Sequence, residues 1–215
     1  MEESASFLAL CSLAIFLGVT HTAAGPDHYV PFIALSNARN WNRKKTLLIT
    51  FVCGLGHVLS SIVIGAIGLL ISTSITKLKF IEGFRGDIAA WLLTICGAVY
   101  LLWAIYSLKK KHHHNNKDIA NRKNLTFWSL FIIFVFGPCE PLIPMLMFPA
   151  ATIGILPTLI VALLFCIATL SVMMLFVFLG TYSQDLLKKF DFHRYSHILA
   201  GLMVTMCGVA VLAGL

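Results

Sequence analysis

Charged residues are scarce in this sequence, and that scarcity excludes a soluble domain of any size. Only 12% of the 215 residues are Asp, Glu, Lys or Arg, whereas 59% are hydrophobic. A soluble domain carries about 25% charged residues. Apolar runs of about 18 residues or more, which are typical of transmembrane helices, fill most of the chain. The composition therefore predicts an all-α integral membrane protein in contact with the lipid bilayer.

Further absences narrow the class of protein. The six cysteines form no C-x-x-C pair and stand in apolar stretches, so no disulfide framework is expected. The first residues, MEES, are acidic, whereas a signal peptide begins with positive charge, so no signal peptide is expected. There is no nucleotide-binding motif. We expect neither an enzyme nor a tightly bound cofactor.

The apolar runs predict six spans, of which the first and the fourth are broken. The predicted spans occupy residues 4–36, 46–72, 88–108, two stretches within 125–184, and 198–215. Residues 4–36 are too many for one span of about 20 residues. Gly25-Pro26 interrupts this segment, and Gly137-Pro138 interrupts the fourth. Proline suits the first turn of a helix, so each Gly-Pro predicts the start of a half-helix inside the membrane.

Basic residues indicate how the spans are oriented. The formal charge of +7 comes from Lys and Arg residues, 13 of 16 of which fall in the loops after the first, third and fifth spans. Only Lys77, Lys79 and Arg85 fall on the other side. The positive-inside rule then places the three basic loops in the cytoplasm and both termini outside. Membrane orientation therefore explains the charge better than a nucleic-acid partner does, and a prokaryotic inner membrane is the expected location.

The two halves of the chain resemble each other. The segment GPDHYVPFIAL from Gly25 resembles GPCEPLIPMLM from Gly137, 112 residues later, and TICGAV from Thr94 resembles TMCGVA from Thr205, 111 residues later. Because each copy holds an odd number of spans, the two copies must point in opposite directions. The sequence thus predicts inverted three-helix repeats in residues 1–111 and 125–215, joined by a basic, His-containing cytoplasmic loop at 112–124. Secondary transporters use this architecture and bind their substrate near the midplane.

Ionisable side chains inside the predicted spans mark the candidate site. They are His21, Asp27, His28, His57 and Glu140. Such residues are costly in a membrane and usually functional. In an unbroken helix His21 and His28 would lie about 10.5 Å apart along the axis, too far to share one metal at about 2.0–2.1 Å from each nitrogen. The turn at Gly25-Pro26 removes that obstacle, and His57 supplies a third nitrogen.

Each of these residues also has a purely structural interpretation. Asp27 suits the first turn of a half-helix, where the dipole favours an acid, and a single histidine is often a hydrogen-bonded core residue. Glu140 is a metal ligand, a proton carrier or a hydrogen-bond partner of its own half-helix start. Cys139 is either a soft ligand or a small residue packed near a break. The run His112–His114 either gathers metal or belongs to a solvated loop.

Two motifs resemble those of a transporter family. The segment HTAAGPDH resembles the H-x-x-x-x-D-H signature of nickel/cobalt permeases and of the related urease-accessory (UreH-like) transmembrane proteins. The segment GLGHVLSS resembles the second motif of those permeases. Five residues rather than four separate His21 from Asp27, which departs from the signature by one residue. The resemblance implies that His21, Asp27, His28 and His57 handle a metal.

The predicted architecture also resembles a wider group, which includes the TauE/SafE sulfite exporters and the CcdA/DsbD thiol-redox proteins. The segment GPCEPLIP resembles the P-C-x-x-P element of the thiol-redox members, which need one cysteine in each half. Here Asp27 stands at the position equivalent to Cys139, so the paired thiol is missing. This ranks a thiol-redox conduit below metal transport.

The sequence as a whole predicts a secondary transporter of a divalent transition metal. Nickel or cobalt is expected first, and zinc or iron next, because imidazole and carboxylate groups suit these metals. In this interpretation the ligands are His21, His28 and His57, with Asp27 offsetting charge and with Glu140 and Cys139 opposite. One alternative is the export of sulfite or another small sulfur-containing anion, bound at the two half-helix starts. The thiol-redox conduit is the other alternative. A homo-oligomer is compatible with the sequence, which does not fix the oligomeric state.

Overall fold

The protein is helical in nearly all of the chain that its computed structural model describes, namely residues 2–71, 74–109, 117–137, 139, 141–187 and 195–214. The α-helices in these residues are α1 (Glu2–Ala24), α2 (Val30–Ala38), α3 (Arg43–Leu70), α4 (Ile75–Lys109), α5 (Lys117–Phe136), α6 (Leu142–Thr152), α7 (Ile155–Leu187) and α8 (Ser196–Leu212). The predicted all-α class is confirmed.

Four helical segments are long and apolar enough to cross a membrane unaided. They are Ser6–Ala24, Arg43–Leu70, Ile75–Leu108 and Ile155–Ser183. Two shorter apolar segments, Phe127–Phe136 and Ser196–Leu212, accompany them. Large apolar side chains such as Phe16, Trp91 and Leu163 point outward from the helices, as side chains that face lipid do. The protein is therefore an integral membrane protein, and the count of six spans stays a prediction.

The first predicted break lies where the sequence places it. Helix α1 ends at Ala24, a short 3₁₀ turn follows over Pro26–His28, and α2 begins at Val30. Gly25 has an extended backbone with φ −89° and ψ 94°, because the ring of a following proline disfavours the helical conformation. The chain therefore turns within an apolar segment, and its polar side chains at the turn face other helices.

The second break separates α5 from α6. Helix α5 ends at Phe136 and α6 begins at Leu142. Between them, Pro138 and Glu140 lie outside the described residues, so the predicted roles of Glu140 stay predictions. Cys139 is described and is completely buried. Both predicted interruptions therefore divide a helix in two.

Helix α4 begins much earlier than the sequence predicts. The third span was expected to start at Ile88, with Lys77, Lys79 and Arg85 in a loop, but the helix starts at Ile75. The loop prediction was wrong because the first turns of α4 pack against the end of α3, where Leu78 contacts Gly68. Arg85 is consequently buried, at 9% exposure. Helix α5 likewise begins at Lys117, inside the segment 112–124 that was expected to be a loop.

Reciprocal glycine contacts hold α4 against α8. A Cβ atom at Gly97 would lie 2.6 Å from the backbone nitrogen of Thr205, and one at Gly208 would lie 2.6 Å from that of Thr94. Small residues let two helix backbones approach closely in a membrane, where packing replaces the hydrophobic effect. Elsewhere α1 packs along α7, and α3 packs between α5 and α7. These contacts bring both breaks to the middle of the helix bundle.

We expect Gly97→Ala to destabilise the protein by about 1–3 kcal/mol, because the added methyl group overlaps the backbone of α8. Gly83→Ala is the matched control on the same helix, since nothing lies within 4 Å of a Cβ atom there, and alanine favours a helix by about 0.5–1 kcal/mol over glycine. Thermal unfolding in detergent, followed by circular dichroism, measures both. Equal melting temperatures for the two variants would contradict the close packing of α4 and α8.

Candidate functional site

Three histidine rings meet edge to face beside the first break. The ring centroids of His21 and His28 are 4.9 Å apart, and those of His28 and His57 are 5.1 Å apart. His21 lies in the last turn of α1, His28 ends the 3₁₀ turn, and His57 lies within α3. The end of α1, the 3₁₀ turn that follows it and the neighbouring helix α3 thus supply one histidine each.

Local backbone hydrogen bonds fold the chain back at this point. The N–H of Gly25 donates to the carbonyl of His21 at 3.1 Å, and the N–H of His28 donates to the carbonyl of Gly25 at 3.1 Å. A Cβ atom at Gly25 would lie 2.6 Å from Nδ1 of His28, so only glycine leaves room for the ring. The structure therefore brings His21 and His28 together, although seven positions separate them in the sequence.

The hydrogen bonds of Nδ1 set the tautomer of two of these histidines. Nδ1 of His57 lies 3.3 Å from the carbonyl oxygen of Phe134. Nδ1 of His28 lies 3.1 Å from the carbonyl oxygen of Gly25 and 3.2 Å from Oδ1 of Asp27. Because carbonyl oxygens only accept hydrogen bonds, each Nδ1 carries the proton and donates it. Nε2 of each neutral ring is then left with a free lone pair, as in histidines that ligate metals.

The Nε2 atoms of His21, His28 and His57 are buried and have no hydrogen-bond partner within the described part of the chain. A buried polar atom without a partner costs about 1–3 kcal/mol, and a membrane interior offers no water to replace it. Three such atoms in one cluster would make a poor structural core. Two of these rings, those of His21 and His57, belong to a group that could hold a metal ion, whereas His28 lies outside that group.

Cys139 completes a possible coordination site from the second break. One ligand atom each from His21, His57 and Cys139 can be chosen so that all three lie within 4.8 Å of one another. Ligand atoms bound tetrahedrally to one metal lie about 3.3–3.6 Å apart, given bonds of about 2.0–2.3 Å. A contraction of about 1 Å would therefore form the site. Cys139 also packs in an apolar cluster with Leu142 and Phe165, so both interpretations of this residue stay predictions.

Asp27 and His28, both expected to handle the metal, lie outside this group of three and line a cavity beside His57. The side chain of Asp27 is 30% exposed, whereas that of His28 is 5% exposed. Both face a cavity of about 30 Å³, which His57 and Gly137 also line. A water molecule or a single ion needs about 10–15 Å³ of such space. Asp27 thus holds the proton-bearing nitrogen of His28 and places a carboxylate beside a cavity of ionic size.

A buried ion pair at this site was missed in the sequence. Glu82 is completely buried and pairs with Arg85, one helical turn further along α4. Oε2 of Glu82 accepts from the backbone N–H of Cys139 at 3.2 Å and from Ser61 Oγ at 3.2 Å. The signal was an acid and a base three residues apart among apolar neighbours. The expected start of the third span at Ile88 concealed it.

Glu140 and the other histidines lie away from this cluster or outside the described part of the chain. His112–His114 lie outside the described residues, as does Glu140. His197, from the last helix, lies 2.7 Å by its Nδ1 from the hydroxyl of Tyr100, and it belongs to an aromatic group with Trp103. The structure therefore brings the predicted His/Asp set together, places the predicted Cys139 near His21 and His57, and holds His197 elsewhere.

Comparison with known proteins identifies the family. A family model described as the cytochrome c biogenesis protein transmembrane region matches residues 13–210, which include both breaks and every residue of the cluster. This match supports the predicted wider CcdA/DsbD group and does not support the nickel/cobalt permease family. No curated protein and no solved structure matches the chain. The protein belongs to the family of the cytochrome c biogenesis transmembrane region.

Proposed function

We propose that this protein binds a transition-metal ion between its two broken helices and carries it across the membrane. The observation that supports the proposal is the cluster of three buried Nε2 atoms without partners, two of whose rings can share a site with Cys139. Imidazole and thiolate are both ligands of transition metals, and neither suits magnesium or calcium. Asp27, beside the cavity, offsets part of the charge of the ion.

The ligands favour a soft metal. Nickel or cobalt fits imidazole and carboxylate, which were the ligands expected from the sequence. Adding the thiolate of Cys139 shifts the preference towards copper(I) or zinc. Free Nε2 lone pairs accept rather than donate hydrogen bonds, so neutral histidines here do not favour sulfite or another anion. We therefore propose copper or zinc as the substrate, with nickel and cobalt as the comparison metals.

We infer that two inverted repeats move against each other around this site. Gly97 contacts Thr205, and Gly208 contacts Thr94. Because Gly97 is equivalent to Gly208 and Thr94 to Thr205, interchanging the two halves converts one contact into the other. The contact of α1 with α7 has its counterpart in the contact of α5 with α3. Both observations support a pseudo-twofold axis through the bundle, which would relate two three-span units. Rocking of such units gives alternating access to a site near the midplane.

We expect the purified protein to bind one copper(I), zinc or cobalt(II) ion. Each of the variants His21→Ala, His57→Ala and Cys139→Ala should weaken binding by more than about 100-fold, because losing a ligand costs more than losing a residue that supports a ligand, which costs about 10–100-fold. Isothermal titration calorimetry measures the affinity. Binding should also release protons, because the metal displaces them from imidazole and thiol groups.

Two variants serve as controls for this titration. His197→Ala removes a histidine outside the cluster, and Cys96→Ala removes a cysteine that is exposed on the side of α4. Both variants should bind metal like the unchanged protein. After reconstitution into proteoliposomes that contain a metal-sensitive dye, both should also transport the metal inward. Metal binding that survives all three ligand substitutions would refute the site. Binding without uptake would refute transport alone.

The family favours a second candidate, a thiol-redox conduit. Cys139 is the buried cysteine at the break, and Cys11 packs against the same apolar cluster as Cys139. A reduced partner on one side of the membrane would supply two electrons and two protons to the disulfide. An oxidised partner on the other side would accept them when the two thiols form the disulfide again. The position that corresponds to Cys139 in the first half holds Asp27, so only a pairing with Cys11 would serve this function.

Oxidation with diamide separates the two candidates. If the metal site is correct, Cys139 keeps its free thiol, because its proposed partners are the imidazoles of His21 and His57. Alkylation followed by mass spectrometry then finds six free thiols before and after treatment, the number of cysteines in the chain. Loss of two free thiols on treatment, and no such loss in the Cys11→Ser variant, would instead establish the redox function.

We further infer that the basic loops face the cytoplasm of a prokaryotic cell, with the protein in the inner membrane. The connection after α2, which holds Arg39 and leads into Arg43 at the start of α3, follows the positive-inside rule. Asn40 is exposed in this connection. A cysteine introduced by Asn40→Cys should react with an impermeant maleimide only after the cells are opened. Labelling of intact cells would reverse the orientation.

A further inference from the structure

The buried pair of Glu82 and Arg85 lies at the second break and touches the chain on both sides of it. Nη2 of Arg85 donates to the carbonyl oxygen of Val135 at 2.7 Å. Oε2 of Glu82 accepts from the N–H of Cys139 at 3.2 Å. The two side chains form an ion pair with each other. One ion pair thus contacts the last turn of α5 and the residue that follows the break.

These two backbone groups would bond to each other in an unbroken helix. The N–H of a residue in an α-helix donates to the carbonyl oxygen four positions earlier, which for Cys139 is Val135. The break separates them, and a backbone group without a partner is very costly in a membrane. Arg85 supplies a donor to the separated carbonyl and Glu82 supplies an acceptor to the separated N–H. The ion pair therefore takes the place of one helical hydrogen bond.

We propose that Glu82 and Arg85 are positioning residues that hold this break open and so place the thiol of Cys139 opposite His21 and His57. If the helix continued through residue 139, the missing hydrogen bond would re-form and the turn that carries the thiol would rotate with it. The role of the pair as a bridge rests on the hydrogen bonds alone. Its role in metal binding rests on the proposed function.

Serine side chains of α3 fix the pair to the helix that carries His57. Nη2 of Arg85 donates to Ser60 Oγ at 2.8 Å, and Ser61 Oγ donates to Glu82 at 3.2 Å. Ser60 in turn donates to the carbonyl oxygen of His57 at 2.8 Å. The ion pair therefore connects Cys139 to α3, the helix that also carries the proposed co-ligand His57.

Two double variants separate bridging from charge. Glu82→Gln with Arg85→Gln removes both charges and keeps an acceptor for Cys139, but glutamine is too short to replace the Nη2 donor to Val135. Glu82→Met with Arg85→Met removes the bridge in side chains of similar volume. Replacing both members of a buried ion pair avoids the unpaired charge that a single substitution leaves, and such replacements are often tolerated. Asp87→Asn, an exposed acid of the same helix, is the control for the loss of charge.

Two measurements on the full-length protein in detergent test the bridge. The first is the rate of alkylation of Cys139 without metal, resolved by mass spectrometry and referred to Cys53, which is equally buried in α3. The second is the thiolate-to-metal charge-transfer band of bound cobalt(II). We expect the Met/Met variant to alkylate several-fold faster at Cys139, to lose the band, and to bind cobalt(II) about 10–100-fold more weakly. The Asp87→Asn variant should stay close to the unchanged protein. The Gln/Gln variant, which keeps only the acceptor for Cys139, should lie between the unchanged protein and Met/Met.

The results distinguish the bridge from the metal site. A Met/Met variant that melts like the unchanged protein and keeps both the protection of Cys139 and the band would overturn the bridge. If Met/Met does not fold, a Gln/Gln variant whose Cys139 is as reactive as in denatured protein overturns it equally. Faster alkylation in Met/Met, together with no cobalt(II) band in any variant, would support the bridge and refute the metal site.

Discussion

The structure depends on one constraint, which is that backbone groups freed by a helix break inside a membrane need partners within the protein. Gly25 and Pro26 open the first break, and the carbonyl of Gly25 accepts from the N–H and the ring of His28. At the second break the carbonyl of Phe134 accepts from the ring of His57. The breaks therefore satisfy their own backbone with the histidines of the candidate site. The hydrogen bonds from the rings of His28 and His57 therefore satisfy carbonyl groups at the breaks and also fix how the rings are oriented.

Much of the first break was predictable because its determinants are local. A glycine followed by proline interrupts a helix by sterics alone, and the distance between His21 and His28 along an unbroken helix required a turn for joint binding. The position of His57 inside an apolar span also pointed to the site. These residues were found from the sequence because each is a polar exception in an apolar segment. The prediction of their meeting followed from helix geometry.

The rest was not predictable because it depends on contacts between distant segments. Arg85 resembles a loop residue next to Lys77 and Lys79, and only the packing of Leu78 on Gly68 shows that α4 continues past it. Glu82 looks like an ordinary member of a pair three residues apart until its contact with Cys139 is seen. From the sequence, Cys139 was either a soft ligand or a small residue packed near the break, and packing was the simpler interpretation. The structure places its thiol near His21 and His57 and also packs it in an apolar cluster, so ligation by Cys139 stays a proposal.

Family membership and site chemistry point in different directions, and the repeat explains how both can hold. The position equivalent to Cys139 in the first half is Asp27, so the two breaks carry one cysteine and one carboxylate at equivalent positions. Under the proposed function, the thiolate of Cys139 would bind a metal together with the imidazoles of His21 and His57. The same pair of breaks can therefore serve either chemistry. Which chemistry operates depends on the side chains that the two breaks present to each other.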